Sequence, residues 1–162
     1  MTPTLNHTLL AYILSLRDYS QTLTIKEQEN FQEFAKQFRT YTDRLEDSEI
    51  ETFLSESLEV NIAENSQLNH LFKTYKNKLD NLEEIPLELL PKIENLNQLE
   101  TRFSHNSFAI SKGEIPDIED DTTPEGQELI LHNSVIIILE SNEPEKVTDD
   151  LKWIDKLKQW LG

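Results

Sequence analysis

Apolar residues recur at intervals of three and four along most of this chain, which is the spacing of one face of an α-helix. The clearest run contains Phe31, Phe34, Phe38, Tyr41 and Leu45. Glycine occurs only 3 times and proline 6 times, too rarely for the tight turns of a hairpin or Greek-key fold. The sequence therefore predicts an all-α fold, a compact bundle of about six or seven amphipathic, mostly antiparallel helices.

Capping residues and prolines indicate where these helices begin. The expected starts are Thr2 with Pro3, Thr24, Ser48, Ser66, Pro91 and Asn142 with Pro144. One inward face is expected on the first helix, formed by Leu5, Leu9, Tyr12, Ile13 and Leu16. The last helix is expected to face inward through Val147, Leu151, Ile154, Leu157 and Leu161.

Residues 113–128 interrupt the helical pattern. They carry seven acidic side chains and no basic one, and two prolines lie among them. Charge repulsion and low hydrophobicity oppose packing, so we expect an exposed, partly disordered acidic loop. Residues 1–162 are expected to form one helical domain, in which this loop separates the helices of 1–112 from a C-terminal helical segment, 129–162.

Residues 129–139 admit two interpretations. Their β-branched residues favour a strand, whereas Thr123 followed by Pro124 favours the start of a helix. A strand needs a pairing partner, and the chain offers only weak ones, such as 107–111. We therefore expect a buried helix that is hydrophobic around most of its circumference. The alternative is a small hairpin, or a strand that pairs across a dimer.

The charge balance limits the partners. The chain carries 31 acidic and 15 basic residues, a formal net charge of -16. Nucleic acids and anionic membranes would be repelled, because their binding needs a cationic surface. The strongest apolar run, 135–139, is far too short to cross a bilayer. We therefore expect a cytoplasmic protein that contacts neither nucleic acid nor membrane directly.

The usual catalytic and metal-binding patterns are missing from the sequence. There is no cysteine, no Gly-x-Ser-x-Gly, no phosphate-binding glycine loop and no Glu-x-x-His or His-x-x-x-His pair. Residues 117–128 match the oxygen spacing of an EF-hand loop. However, Thr122 replaces the glycine of the sharp turn, and Pro124 removes a backbone N–H. The sequence predicts no enzyme, no cofactor and no metal site, and Glu128 with His132 is interpreted as a one-turn side-chain contact.

The function we expect is that of a non-catalytic acidic adaptor or regulatory subunit that contacts another protein with a basic or apolar surface. Acidic residues of the loop would steer a basic partner, namely Asp117, Glu119, Asp120 and Asp121. Apolar anchors would come from the last helix, namely Trp153, Leu157 and Trp160. For the tryptophans alone, burial in the domain's own core is the favoured interpretation, and the last helix is nonetheless the best candidate for a docking surface. Homo-oligomer formation is left open.

The alternative function is an acidic inhibitor. Such a protein, like an immunity protein or a nucleic-acid mimic, would occupy the basic groove of a nuclease, toxin or nucleic-acid-binding protein. A mimic needs its acids on one continuous face, and its binding falls steeply with salt. In this sequence acids occur on every expected helix and are mixed with lysines outside 113–145, which favours the adaptor.

Overall fold

The computed structural model describes residues 3–19, 21–41, 47–82, 85–103, 124–141 and 144–162. Within these ranges the chain forms seven α-helices of 10 to 17 residues and no strand, which confirms the predicted all-α fold. The helices are α1 (Pro3–Asp18), α2 (Ile25–Tyr41), α3 (Ser48–Ala63), α4 (Ser66–Asp80), α5 (Ile93–Phe103), α6 (Pro124–Glu140) and α7 (Lys152–Leu161).

The first helix, α1, is buried around its whole circumference. Its apolar side chains are at most 1% exposed: Leu5, Leu9, Leu10, Ala11, Tyr12, Ile13, Leu14 and Leu16. The prediction of one inward face was wrong for Leu10, Ala11 and Leu14. The reason is that α1 is enclosed by α3, α4, α6 and α7, so it has no solvent face along most of its length.

The ambiguous segment 129–139 lies in α6, which confirms the buried helix and excludes the strand. Residues 135–139 are at most 2% exposed. Proline at the first helical position suits the start of α6, because proline lacks an N–H and an N–H at this position would have no partner within the helix. The prediction of an acidic loop was therefore wrong for residues 124–128, because these residues form the N-terminal part of α6. The remainder of that loop, 113–123, lies outside the described residues.

The capping groups of α2 and α4 meet at one junction. The Thr24 hydroxyl accepts the Glu27 N–H at 3.1 Å, and one Glu27 oxygen accepts the Thr24 N–H at 2.8 Å, a capping box. Asn65 caps α4 by accepting the Leu68 N–H at 3.1 Å. Its amide nitrogen donates to the other Glu27 oxygen and to the Tyr19 hydroxyl, both at 2.8 Å. The end of α1 and the starts of α2 and α4 are thereby joined.

The predicted start at Thr24 is confirmed, but two predicted caps were wrong by one residue. Asp47 instead of Ser48 caps α3 and accepts the Glu49 N–H at 2.9 Å. Asn65 instead of Ser66 caps α4. Carboxylate and amide oxygens cap helices as well as a hydroxyl does, so a preceding Asp or Asn with extended backbone takes the position.

The predicted last helix is broken. A single α-turn, Pro144–Val147, leads into a 3-10 turn, Thr148–Asp150, and α7 begins only after Leu151. Leu151 has an extended backbone, with φ -96° and ψ 100°, which interrupts the helix between the two parts. Of the predicted inward residues only Leu161 is not fully buried; it packs at the edge of the core.

Phe38 occupies the contact between α2 and α6. It is 0% exposed, and its ring lies 6.0 Å from that of Phe34 and 5.3 Å from that of His132. Phe31, on the same face of α2, packs against Tyr12 of α1 at 4.9 Å. The aromatic face predicted for α2 is therefore the face by which this helix joins the core.

Replacing Phe38 with alanine should lower the free energy of unfolding by about 3–5 kcal/mol, because it leaves a cavity in the core. The matched control is Phe53→Ala on α3, whose side chain is 47% exposed; there we expect a loss of about 1 kcal/mol or less. Chemical denaturation of both variants measures the difference. Equal losses would contradict this assignment of the core.

Candidate functional site

The predicted C-terminal surface is mostly turned inward. Trp153 is 5% exposed and Leu157 is 0% exposed, so both belong to the core, and only Trp160 presents a large apolar surface, at 43%. Trp153 shares the buried side of α7 with Ile154 and Leu157. The other predicted site residues, Asp117, Glu119, Asp120 and Asp121, lie outside the described residues.

Ion pairs hold α7 on the end of α1. The Arg17 guanidinium donates to Asp155 at 3.0 Å and to Asp149 at 3.2 Å. Lys158 donates to Asp18 at 2.5 Å. These charged groups are only partly buried, so each pair alone contributes about 1 kcal/mol or less. Together with the buried Trp153, Ile154 and Leu157 of α7 they fix this helix against its own domain.

Tyr75 of α4 completes this cluster. Its hydroxyl donates to Asp18, and burial, followed by this hydrogen bond, raises the pKa of Tyr75 far above its usual range. The hydroxyl therefore stays protonated and serves as a donor. Lys78, one turn further along α4, donates to the carbonyl of Gly162 at 3.1 Å. The cluster joins α1, α4 and α7, and its groups are engaged with one another.

A groove of about 350 Å³ lies on the outer side of α2 and α3. Phe34 forms its floor and is 1% exposed, whereas Phe53 and Val60 of α3 are 47% and 67% exposed. The latter two are seven residues apart, so they lie on one face of α3 about 10 Å apart along its axis. They fall off the buried stripe of the same helix, Leu54, Leu58 and Ile62.

Both ends of the groove are fixed by contacts between the helices. At one end the rings of Tyr41 and Phe53 meet edge to face, with centroids 6.3 Å apart. At the other end the Asn61 amide donates to the Asn30 carbonyl at 3.5 Å. These pairs show that α2 and α3 run antiparallel along the groove. The exposed ring of Phe53 is therefore held in place by a neighbour.

The rim of the groove is acidic. Glu33 of α2 and Glu56 of α3 line it and are exposed, and none of the described residues that line it is basic. Residues 47–65, which include α3, contain no Lys or Arg, so the statement that acids are mixed with lysines outside 113–145 was wrong for this helix. The acidic residues of this segment are Asp47, Glu49, Glu51, Glu56, Glu59 and Glu64. The groove therefore combines exposed apolar groups with acidic side chains, which are the charged groups of its described lining.

His132 is the one histidine of the described residues that is fully buried, at 3% exposure. Its Nε2 donates to Asn6 Oδ1 at 2.8 Å, so α1 and α6 share a hydrogen bond within the core. The predicted one-turn contact with Glu128 is confirmed, at 3.9 Å. Burial lowers the pKa of His132 to about 3. The imidazole is therefore neutral near neutral pH and acts as a core hydrogen-bond donor.

Other parts of the described structure offer less chemistry. A larger cavity, about 580 Å³, lies between α5 and α7, and its described lining contains no carboxylate or imidazole: Asn95, Asn97, Gln98, Leu99, Thr101, Leu151, Lys152 and Trp153. Among the described residues no three His, Asp or Glu side chains are grouped so as to hold a metal ion. None of the helices in these ranges is both long and apolar enough to cross a membrane.

The groove was missed at the sequence level, although the sequence carries its signal. Phe53 and Val60 are apolar residues displaced from the stripe of Leu54, Leu58 and Ile62. Such displaced residues are exposed if the stripe is buried. Their repeat at seven residues, on a helix without basic residues, would have indicated a second, outward apolar face.

No protein-family model matches this chain, and comparison with curated proteins and with solved structures finds no match. The groove is therefore characterised by its own residues alone.

Lowering the pH from about 7 to about 5 should destabilise the wild type by about 2 kcal/mol more than the His132→Gln protein. The pKa of His132 is lowered in the folded state, so below about pH 6.5 the unfolded chain binds a proton that the folded chain does not. Stability is therefore lost as the pH falls. Glutamine keeps a donor for Asn6 but does not titrate.

Urea denaturation of both proteins at each pH measures this difference. The surface carboxylates titrate in both proteins and cancel. Parallel loss of stability in wild type and variant would show that His132 accepts a proton in the fold.

Proposed function

We propose that this protein is a non-catalytic acidic adaptor or regulatory subunit that binds another protein through the groove between α2 and α3. The observation that supports this proposal is the exposure of Phe53 and Val60 beside that groove, at 47% and 67%. Isolated exposed apolar residues are common on protein surfaces. Two of them on one helical face, over a depression with a polar rim, resemble the centre of a protein interface.

The apolar groups can supply the binding energy. Fully burying a Val or Phe side chain stabilises a complex by about 1.5–3 kcal/mol, before the costs of association. Phe53 is already oriented by Tyr41, so little side-chain freedom is lost when a partner covers it. Aromatic anchors of this kind dominate the energy of many interfaces.

The acidic rim can select the partner. Glu33 and Glu56 border the apolar groups, so a partner with basic residues around an apolar centre would be attracted and oriented. The negative field of the chain would also raise the rate of encounter with a basic protein. The same field repels nucleic acids, which fits a partner that is a protein.

A second candidate function has its own supporting observation. Five acidic residues of the α3 segment are exposed, without an interspersed basic residue: Asp47, Glu49, Glu56, Glu59 and Glu64. A row of carboxylates of this kind could occupy the basic groove of a nuclease, toxin or nucleic-acid-binding protein in the manner of a phosphate backbone. Binding by such an inhibitor would fall steeply with salt, whereas binding through Phe53 and Val60 would change little.

Replacing Val60 with lysine should abolish retention of the partner from a cell extract, because a charge then occupies the apolar centre of the groove. The matched control is Ile25→Lys, which makes the same change of charge at a residue that is 75% exposed and does not line the groove. We expect the control to retain the partner. Affinity capture at low and at high salt, followed by mass spectrometry, measures both properties.

Far-UV circular dichroism and denaturation check that both variants fold as the wild type does. Equal retention by the two variants would contradict a role for the groove. Loss of the partner from the wild type at high salt would favour the acidic inhibitor.

A further inference from the structure

We infer that the segment of the partner that occupies the groove is a basic amphipathic helix. This inference rests on the proposed function, and it adds the kind of segment that the groove accepts. Three features of the groove support it: the helices that form its walls, the spacing of its apolar groups and the position of its charges.

The walls favour a helix as the occupant. The described part of the chain has no strand, so an extended peptide would find no sheet edge with which to pair its backbone. A helix satisfies its own backbone groups and needs only side-chain contacts. The antiparallel pair α2 and α3 leaves a linear depression, and the side-chain ridges of a third helix pack into such a depression. The groove is too small for a whole helix, at about 350 Å³, so the occupant would insert side chains from one face.

The exposed apolar groups of α3 determine the spacing of the apolar residues with which the partner helix would contact them. Phe53 and Val60 lie about 10 Å apart along α3, which is two helical turns. A helix lying along the groove would match them with apolar residues at positions i, i+3 or i+4, and i+7.

The charges beside the groove indicate which residues should flank the apolar stripe of the bound helix. Glu33 stands on α2 and Glu56 on α3, so negative charge borders the groove on both sides. A helix in the groove would therefore carry Lys or Arg on both sides of its apolar stripe. A second copy of this chain is disfavoured as the occupant, because each copy has a net charge of -16.

Two synthetic peptides of identical composition, built from leucine and lysine, test the inference. In one, leucine follows a helical stripe; in the other the same residues are scrambled, so that the charge is equal and only the stripe is lost. Each is titrated into the isotope-labelled full chain by NMR, with dissociation constants from calorimetry. We expect the striped peptide to bind at least about tenfold more tightly, with chemical-shift changes concentrated on α2 and α3.

Protein variants locate the contacts. Val60→Lys should weaken the striped peptide by about tenfold or more, and Ile25→Lys should not. The double change Glu33→Gln and Glu56→Gln should weaken it by about threefold to tenfold at low salt. The matched control changes two other exposed glutamates, Glu88 and Glu94, which lie away from the groove, and should leave the affinity unchanged.

The inference would be overturned by equal binding of the two peptides, by shift changes away from α2 and α3, or by equal weakening in the two glutamine variants. It would also be overturned if sedimentation showed a dimer of the wild type that Val60→Lys abolishes, because a second copy would then fill the groove. A different outcome is that the striped peptide does not bind while Val60→Lys still abolishes retention of the partner from a cell extract. In that case the proposed function stands, and only the inference of a basic helical segment is contradicted.

Discussion

The burial of α1 on all sides is the constraint on which the rest of the structure depends. A helix whose apolar residues point in every direction cannot lie on a surface, so other helices must enclose it. Helices α3, α4, α6 and α7 do so, and each turns an apolar face toward α1. The inward face of α7 is used in this way, which leaves little of it for a partner. The outer side of α2 and α3 does not face α1, and Phe53 and Val60 of α3 remain exposed there.

Polar groups inside this apolar core determine how α1, α2 and α6 align. The bond between Asn6 and His132 joins α1 to α6, and the ion pair of Arg39 with Glu140, at 3.1 Å, joins α2 to α6. The Glu140 side chain is 7% exposed, so separation from its partner would leave a nearly buried charge. The Arg39 side chain is 28% exposed, so breaking this pair costs less than the ~3–5 kcal/mol of a fully buried pair, and the pair itself adds little stability. These links therefore specify the alignment of the helices more than they stabilise the fold.

Much of the fold could be predicted because helical periodicity is a local signal. The aromatic face of α2 followed from residue spacing. The helical state of 129–139 followed from the helix start at Thr123 and Pro124 and from the lack of a good partner for a strand. Burial on all sides could not be predicted for Leu10 and Leu14, since it depends on how many neighbours surround a helix. The break at Leu151 was also not predicted, since leucine itself is a good helix former. Trp153 was proposed as a partner contact, with core burial as the other interpretation, and it packs in the core. The exposed pair on α3 was overlooked.

The junction of Thr24, Glu27 and Asn65 has a consequence for how this sequence can evolve. Each of the two Glu27 oxygens accepts a bond from a different element, one at the start of α2 and one at the start of α4. Glutamine at position 27 would offer one oxygen as acceptor and would place its NH₂ group against either the Thr24 N–H or the Asn65 amide, which are both donors. Aspartate is one methylene shorter, too short to reach both of these donors. We therefore expect few substitutions at position 27 as this sequence evolves, although the Glu27 side chain is partly exposed to solvent.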